Sequence, residues 1–207
     1  MTDFDLNGGI FLIRLARSAV EEFVITRKRM AKPIAVPRKL LEKHAAFVTI
    51  NKIRRNDKRL RGCVGIYNAE KPLVDVIIDS SCDASFRDPR FPPISEEELD
   101  LLVIEISVLT PPELIQVSSP KELPKTITIG EHGLIVKWNF GSGLVLPQVA
   151  IDYGWEAKEF LSETCMKAGA TPDLWLTKEA KIYRFSSEIF AETSPRGEII
   201  KVKLPIV

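Results

Sequence analysis

The chain has 207 residues, 45% hydrophobic and 28% charged, which excludes large-scale disorder and allows one large domain or a main domain with a smaller lobe. Its 29 basic and 28 acidic side chains give a net charge of +1, so the overall charge provides no attraction toward nucleic acid or anionic lipid. Three widely spaced cysteines without a C-x-x-C pair predict neither a disulfide framework nor a thiolate zinc site. With no charged leader and no apolar run that could span a bilayer, the sequence predicts a cytoplasmic protein outside the membrane.

The first part of the chain predicts two amphipathic helices. Apolar residues at three- and four-residue spacing predict a helix over residues 7–30, with Asn7 as its cap. The basic run Arg27–Arg29 is interpreted as its last turn, where positive charge complements the helix dipole. Pro72 opens a second helix that reaches Ala84, because proline suits the first helical turn.

A hairpin between these helices carries the most unusual motif of the sequence. Residues 47–53 and 60–67 predict two strands joined by a polar turn. In the second strand, Gly62 and Gly65 flank Cys63. Because glycine weakens a strand, two of them indicate a bulge, the close approach of another backbone, or room for a ligand.

A proline-rich loop and a third strand follow. Residues 86–93 contain three prolines and predict an ordered loop, because proline disrupts helices and central strands. Ser95 predicts the start of a short helix. The alternation over residues 102–109 predicts a strand with Glu105 and Ser107 on one face.

The rest of the chain predicts short strands with one helix between them. Residues 118–133 predict irregular structure. The further predicted elements are a hairpin over 134–138 and 144–146, a helix over 155–168, and strands over 181–185, 187–191 and 198–204. Successive strands joined by short turns predict an α+β fold with mainly antiparallel sheets.

Together these segments resemble the AMMECR family, from about Phe4 to Glu192. The matching segments are Leu60–Gly65, Asp88, Arg90–Pro93, Glu105–Leu109, His132–Gly133, Leu146–Ala150 and Gly154–Trp155. The resemblance implies two lobes, each with a mainly antiparallel sheet flanked by helices, and a cleft between them. The larger lobe would take residues of about 1–110 and 150–207, and the smaller lobe about 111–149. Family members occur beside or fused to Memo-like and radical-SAM-type proteins, which implies a partner of that kind but supplies no reaction.

Cys63 is the strongest candidate for a catalytic residue, as a nucleophile or a redox thiol. Arg61 favours its thiolate, and His132, in a glycine-flanked loop, is the candidate base. Glu105 would orient the site, paired with Arg61 or Arg90. The alternative interpretation is structural: Cys63 is a small core residue, and the first predicted helix packs closely across its strand.

A second group of residues would bind a small polar substrate. This group is Arg61, Gly62, Gly65, Asp88, Arg90 and Gln148. The structural alternatives are that Asp88 and Arg90 pin the proline-rich loop and that Gln148 and His132 bond only to backbone. No metal-binding pattern occurs, and the sequence leaves cofactor and reaction open. The predicted function is an enzyme acting on a small polar molecule in the cleft near Cys63. The alternative is a non-catalytic module that binds a protein or, less favoured, a nucleic acid.

Overall fold

The structure, a computed structural model, describes residues 4–55 and 57–207. Its helices and strands in chain order are α1 (Leu6–Thr26), β1 (Ala45–Arg54), β2 (Asp57–Ile66), α2 (Leu73–Phe86), β3 (Leu102–Leu109), β4 (Glu113–Leu114), β5 (Gly133–Trp138), β6 (Gly141–Val145), α3 (Pro147–Asp152), α4 (Ala157–Lys167), β7 (Lys181–Phe185), β8 (Ser187–Glu192) and β9 (Ile199–Val202). Short 3-10 helices lie at Arg38–Leu41, Glu96–Leu101, Pro120–Thr126 and Leu174–Leu176. Asn56, in the predicted turn of the first hairpin, and the first three residues lie outside the described part of the chain.

The chain divides into two compact units. The first unit comprises the chain up to Leu109 together with Glu188–Val202. The second comprises Thr110–Ser187 and Lys203–Val207. The first unit is therefore built from two separated stretches, but residues 150–187 belong to the second unit and not, as expected, with the chain ends. The reason is packing: α4 contacts β5 and β6, and β7 pairs with β5.

In the first unit, two helices pack on a five-stranded sheet. The strand order is β2-β1-β3-β8-β9, with β2 at one edge. β1 pairs antiparallel with β2 and β3, and β8 pairs antiparallel with β9. The core combines apolar positions of α1 and α2 with alternate positions of the strands, among them Leu12, Ala16, Val20, Val76, Ile77, Val48, Ile50, Ile104 and Ile106. This arrangement confirms the predicted α+β class.

Both ends of α1 differ from the prediction. The helix is capped by Asp5, whose carboxylate accepts the N–H of Gly8 at 2.8 Å, and Asn7 lies inside the first turn. The helix ends before Arg27, which takes a left-handed conformation with φ of 59°. The basic run therefore lies beyond the helix, where Arg29 binds Asp79 at 2.6 Å. Its interpretation as the last helical turn was wrong, because the left-handed residue ends the helix first.

In the second unit, a four-stranded antiparallel sheet has the order β4-β7-β5-β6, and α4 packs on β5 and β6. Its core includes Leu134, Val136, Val145, Phe160, Leu161, Cys165 and Ile182. The sequence missed α3, which Pro147 opens, and the two-residue β4, which directly follows two prolines. None of the described helices is long and apolar enough to cross a membrane.

Candidate functional site

Cys63 lies in a cross-strand row of polar residues in the first unit. In the sheet register, Cys63 of β2 lies opposite Thr49 of β1, and Thr49 lies opposite Glu105 of β3. We call these three residues the polar row. Their neighbours Val48 and Ile50 belong to the core, and side chains alternate between the two faces of a strand. The polar row therefore lies on the sheet face opposite the core.

The Cys63 thiol has a hydrogen-bond donor directly across the strands. Thr49 Oγ1 donates to Cys63 Sγ at 3.3 Å. The backbone groups of Cys63 point the other way: its N–H donates to Asp88 Oδ2 at 2.8 Å, and its carbonyl accepts from Arg90 Nη2 at 3.1 Å. Thr49 and Cys63 therefore form a non-hydrogen-bonded pair of the antiparallel ladder. Side chains of such a pair lie closer together than those of a hydrogen-bonded pair, which explains how the Thr49 hydroxyl reaches the thiol.

Asp88 and Arg90 fasten the proline-rich loop to the edge strand. Asp88 is 4% exposed, and its carboxylate accepts two hydrogen bonds from the Arg90 guanidinium, at 2.9 and 2.6 Å. This ion pair, with the N–H of Cys63, lowers the pKa of Asp88 to about 2. Hydrogen bonding to Asp88 raises the pKa of Arg90, and the Cys63 side chain contributes in the same direction. Asp88 and Arg90, two of the three charged residues predicted to bind substrate, thus hold the backbone of Cys63 in place.

Arg61 is bound to a second part of the same loop region. The β1–β2 register passes from Gly62 to Leu60, so Arg61 is the extra residue of a bulge. Its guanidinium binds Glu98 at 3.0 and 2.9 Å and donates to the carbonyls of Pro92 and Pro93. Hydrogen bonding to Arg61, with a further bond from a lysine, lowers the pKa of Glu98 to about 2.

Glu105 has a different partner from the one expected. Its carboxylate lies 3.6 Å from Lys58 Nζ, whereas Arg61 and Arg90 bind Glu98 and Asp88. The expected arginine pairing was wrong, because Arg90 is held by Asp88 in the proline-rich loop and Arg61 binds Glu98, which also binds Lys52 of β1. Glu105 nevertheless remains in the polar row, across β1 from Cys63.

The two glycines beside Cys63 allow close backbone packing. A Cβ at Gly62 would overlap the carbonyl oxygen of Ala84, near the end of α2. A Cβ at Gly65 would overlap the Ala46 backbone and the Phe47 ring. The expected close packing of a helix across this strand is found at Gly62, where the helix is α2 and not α1, whereas the close neighbour of Gly65 is the adjacent strand β1.

His132 and Gln148 belong to the second unit. His132 Nδ1 accepts the N–H of Thr128 at 2.9 Å, so this histidine is bonded to backbone within its own loop. Burial lowers its pKa below 6.5. Gln148 follows Pro147 in the first turn of α3 and is half-buried. The pairing of Cys63 with His132 as base joins residues of different units and stays a prediction.

Of the three cysteines, Cys63 is the least buried. Cys82 and Cys165 are buried, and burial raises the pKa of both, that of Cys82 to about 11. Cys63 is half-buried and lies beside a hydroxyl donor and a guanidinium. Within the described ranges, no group of histidine, cysteine and acidic side chains could hold a metal ion.

Sequence reasoning missed Thr49, Glu98 and Lys58 as neighbours of the candidate residues. Thr49 carried one usable signal, because it is a polar residue at an outward position of a predicted strand beside the cysteine strand. Identifying it required the hairpin register, and the bulge at Arg61 shifts that register by one residue. Glu98 lies in the first turn of the short helix that Ser95 was predicted to start, and it forms a capping box with Ser95.

We expect Asp88→Asn to destabilise the protein in a pH-dependent way. At pH 6 the change should lower the free energy of unfolding by about 2 kcal/mol, because hydrogen bonds to a charged group contribute about 1.5–3 kcal/mol. The folded pKa of about 2 lies below the ordinary value of about 3.9. The contribution is therefore complete above about pH 5 and is lost as the pH falls through 2. Urea unfolding of the variant and the wild type from pH 6 to pH 2 measures this contribution to the free energy of unfolding.

Asp83→Asn is the matched control, because Asp83 forms an exposed pair with Arg87 one helical turn away. We expect a change of less than about 0.5 kcal/mol at every pH. A destabilisation by Asp88→Asn that stays constant down to pH 2 would show that the charge of Asp88 is not what matters.

The fold and the site define a class of protein: two α+β units with antiparallel sheets, the first carrying a half-buried cysteine on an edge strand fastened by an Asp-Arg pair. The AMMECR1 family model matches residues 13–190, and the chain belongs to this family. The resemblance to the AMMECR family that the sequence showed is thereby confirmed.

Relatives and a solved structure agree over nearly the whole chain. The chain is 44% identical over 199 residues to Protein MJ0810 of Methanocaldococcus jannaschii, covering 96% of this chain and 97% of that one. It is 48% identical over 199 residues to Protein PYRAB00100 of Pyrococcus abyssi, covering 95% and 96%. The crystal structure of the uncharacterized protein PH0010 from Pyrococcus horikoshii is similar, with a TM-score of 0.93 at 46% identity, covering 99% of this chain and 100% of that one.

Proposed function

We propose that the protein is an enzyme that acts on a small polar molecule through the thiol of Cys63. The observation that carries this proposal is the hydrogen bond from Thr49 Oγ1 to Cys63 Sγ, at 3.3 Å on the polar row. A donor aimed at sulfur favours the thiolate over the thiol. Glu105 and Lys58, in the same part of the sheet, supply charges of both signs for a polar substrate.

The proposed chemistry is nucleophilic substitution at an electrophilic carbon of the substrate. The thiol of Cys63 loses its proton to solvent, and the hydroxyl of Thr49 and the guanidinium of Arg90 stabilise the resulting thiolate. The thiolate forms a carbon–sulfur bond, and the leaving group departs with the electron pair of the bond that breaks. The Asp88–Arg90 pair keeps the strand, and with it the sulfur, in place during this step.

We expect Cys63 to be alkylated by iodoacetamide much faster than Cys82 or Cys165 in the folded protein. In this reaction the sulfur bonds to the methylene carbon and iodide leaves. The midpoint of rate against pH should lie below about 8.5, the value for an ordinary thiol. Thr49→Val should raise that midpoint by about one pH unit, because a hydrogen bond to a charged group contributes about 1.5 kcal/mol or more. Mass spectrometry locates each modified cysteine.

Thr49→Ser is the matched control, because serine keeps the hydroxyl and loses only a methyl group. Its midpoint should stay at the wild-type value. If the midpoint of alkylation rate against pH is the same for the valine and serine variants, the hydroxyl of Thr49 does not stabilise the thiolate. Labelling of Cys63 only after denaturation would overturn the proposed enzyme as a whole.

A non-catalytic binding module is the second candidate function. The observation that favours it is that Arg61, Asp88 and Arg90 are each bonded within the proline-rich loop region, which makes a rigid surface rather than a set of free ligand-binding groups. Cys63→Ser separates the two functions. A binding module would keep partner binding and biological complementation in this variant, whereas the proposed enzyme would lose complementation.

A further inference from the structure

The last five residues lie against the loop that carries His132. The segment Lys203–Val207 belongs to the second unit, although β9, which precedes it, belongs to the first. The N–H of Val207 donates to the carbonyl of Ile129 at 3.1 Å. Gly130 has a positive φ of 87°, and a Cβ at this position would overlap the carbonyl oxygen of Pro205. We call Lys203–Val207 the C-terminal strap.

His132 closes the turn next to the strap through two hydrogen bonds to Thr128, one from its backbone and one to its ring. The backbone N–H of His132 donates to the carbonyl of Thr128 at 3.0 Å, and the N–H of Thr128 donates to His132 Nδ1 at 2.9 Å. A ring nitrogen that accepts a hydrogen bond carries no proton, so the neutral imidazole holds its proton on Nε2. The turn therefore fixes the tautomer of His132.

Charged groups of both signs face His132. They are Glu131 in the same loop, Glu113 of β4 and Arg184 of β7. Arg184 is tied to its surroundings, with Nη1 donating to the carbonyl of Thr126 at 3.0 Å and Nε lying 3.7 Å from Glu113. Burial outweighs the two carboxylates and lowers the pKa of His132 below 6.5. The lowered pKa favours the neutral imidazole.

We propose that the C-terminal strap is a positioning element that holds the Thr128–His132 turn and so keeps the imidazole of His132 in the tautomer that donates through Nε2. This role differs from that of a general base, because the nitrogen that could take a proton is already bonded to the Thr128 amide. The proposal does not depend on the chemistry assigned to Cys63, and its readouts need no substrate.

The test is an NMR titration of the histidine side chains in the full chain. The sequence has only two histidines, so each ring is readily assigned, and His44 of the first unit serves as an internal reference. Long-range ¹H–¹⁵N spectra distinguish the protonated ring nitrogen from the bare one. In the wild type we expect His132 to be the Nε2–H tautomer and to titrate below pH 6.5.

Gly130→Ala should displace the strap, since its new methyl group meets the Pro205 carbonyl. We expect mixed tautomers of His132, titration closer to pH 6.5, and loss of hydrogen-exchange protection at the Val207 amide. Gly154→Ala is the matched control. Gly154 has a positive φ of 66° with no atom within 4 Å of an added Cβ, so this variant adds the backbone strain without the clash.

A chain that ends at Val202 provides a second variant if Gly130→Ala does not fold. It should change the tautomer of His132 in the same way while leaving the His44 signals in place. Wild-type tautomer and titration in the truncated chain would overturn the role of the strap. An Nδ1–H tautomer in the wild type would overturn the donor role of His132.

Discussion

Glu192→Gln should lower the free energy of unfolding of the first unit by about 3–5 kcal/mol, the largest effect that we expect from a single substitution. Glu192 is 6% exposed and Arg17 is 8% exposed, so this ion pair is buried. The substitution removes one charge of the pair and keeps the size of the side chain. Arg17 would then remain as a buried cation with only the weaker contact to Glu21, 3.4 Å from its Nη1, as counter-charge, which is a costly arrangement.

The reason for so large an effect is that this pair connects three elements of the first unit. Arg17 of α1 donates through Nε to Glu192 of β8 at 2.6 Å and through Nη2 to the carbonyl of Leu102 at 2.8 Å. Glu192 also accepts the N–H of Ile104 of β3 at 2.9 Å. Burial alone would lower the pKa of Arg17, but the bonds to Glu192, with a further contribution from Glu21, raise it overall. A neutral amide cannot replace the carboxylate on all of these donors.

Urea unfolding followed by far-UV circular dichroism measures this loss. Tryptophan fluorescence gives a comparison, because Trp138, Trp155 and Trp175 all lie in the second unit. Glu42→Gln is the matched control: Glu42 is also in the first unit, its side chain is 66% exposed, and we expect a change within about 0.5 kcal/mol. Equal stability of Glu192→Gln and wild type would mean that the buried pair contributes nothing net.

Elements with a clear side-chain period were predictable from the sequence. The strand over 102–109 matches β3 in both bounds, and both predicted hairpins form, because alternation of apolar and polar residues places one face on a core. The same alternation placed Glu105 and Ser107 on one face correctly, opposite the core residues Ile104 and Ile106. The local pattern of apolar and polar residues was sufficient to predict an element wherever the element buries one face against the core.

The partners of the candidate site were not predictable, because they depend on contacts distant in sequence. Asp88 meets the N–H of Cys63 across 25 positions, and Glu98 meets Arg61 across 37. Both contacts follow from a loop folding back on an edge strand, and no local period encodes that path. The helix cap was missed for a different reason: Asp5 and Asn7 are both good caps, and only the observed bond to Gly8 distinguishes them.

Gly62→Ala is the second substitution with a large expected effect, because it tests the packing beneath Cys63. Its methyl group would meet the backbone carbonyl of Ala84, which cannot rotate aside as a side chain can. Either α2 or β2 must move, and overpacking of this kind costs about 1–3 kcal/mol. Ala84 is 2% exposed, so the helix cannot shift without disturbing the core. We therefore expect a loss near the upper end of that range in urea unfolding.

Gly8→Ala is the control that separates this clash from the general effect of replacing glycine. Gly8 lies in α1, where an added Cβ would be 3.3 Å from the Asp5 carboxylate that caps the helix and would clash with no backbone atom, and alanine favours helix by about 1 kcal/mol. This variant should match or exceed the wild-type stability. If Gly62→Ala is as stable as the wild type, close packing of α2 does not explain the glycine beside Cys63. The bulge at the neighbouring Arg61 or space for a ligand would then be the remaining reasons for it.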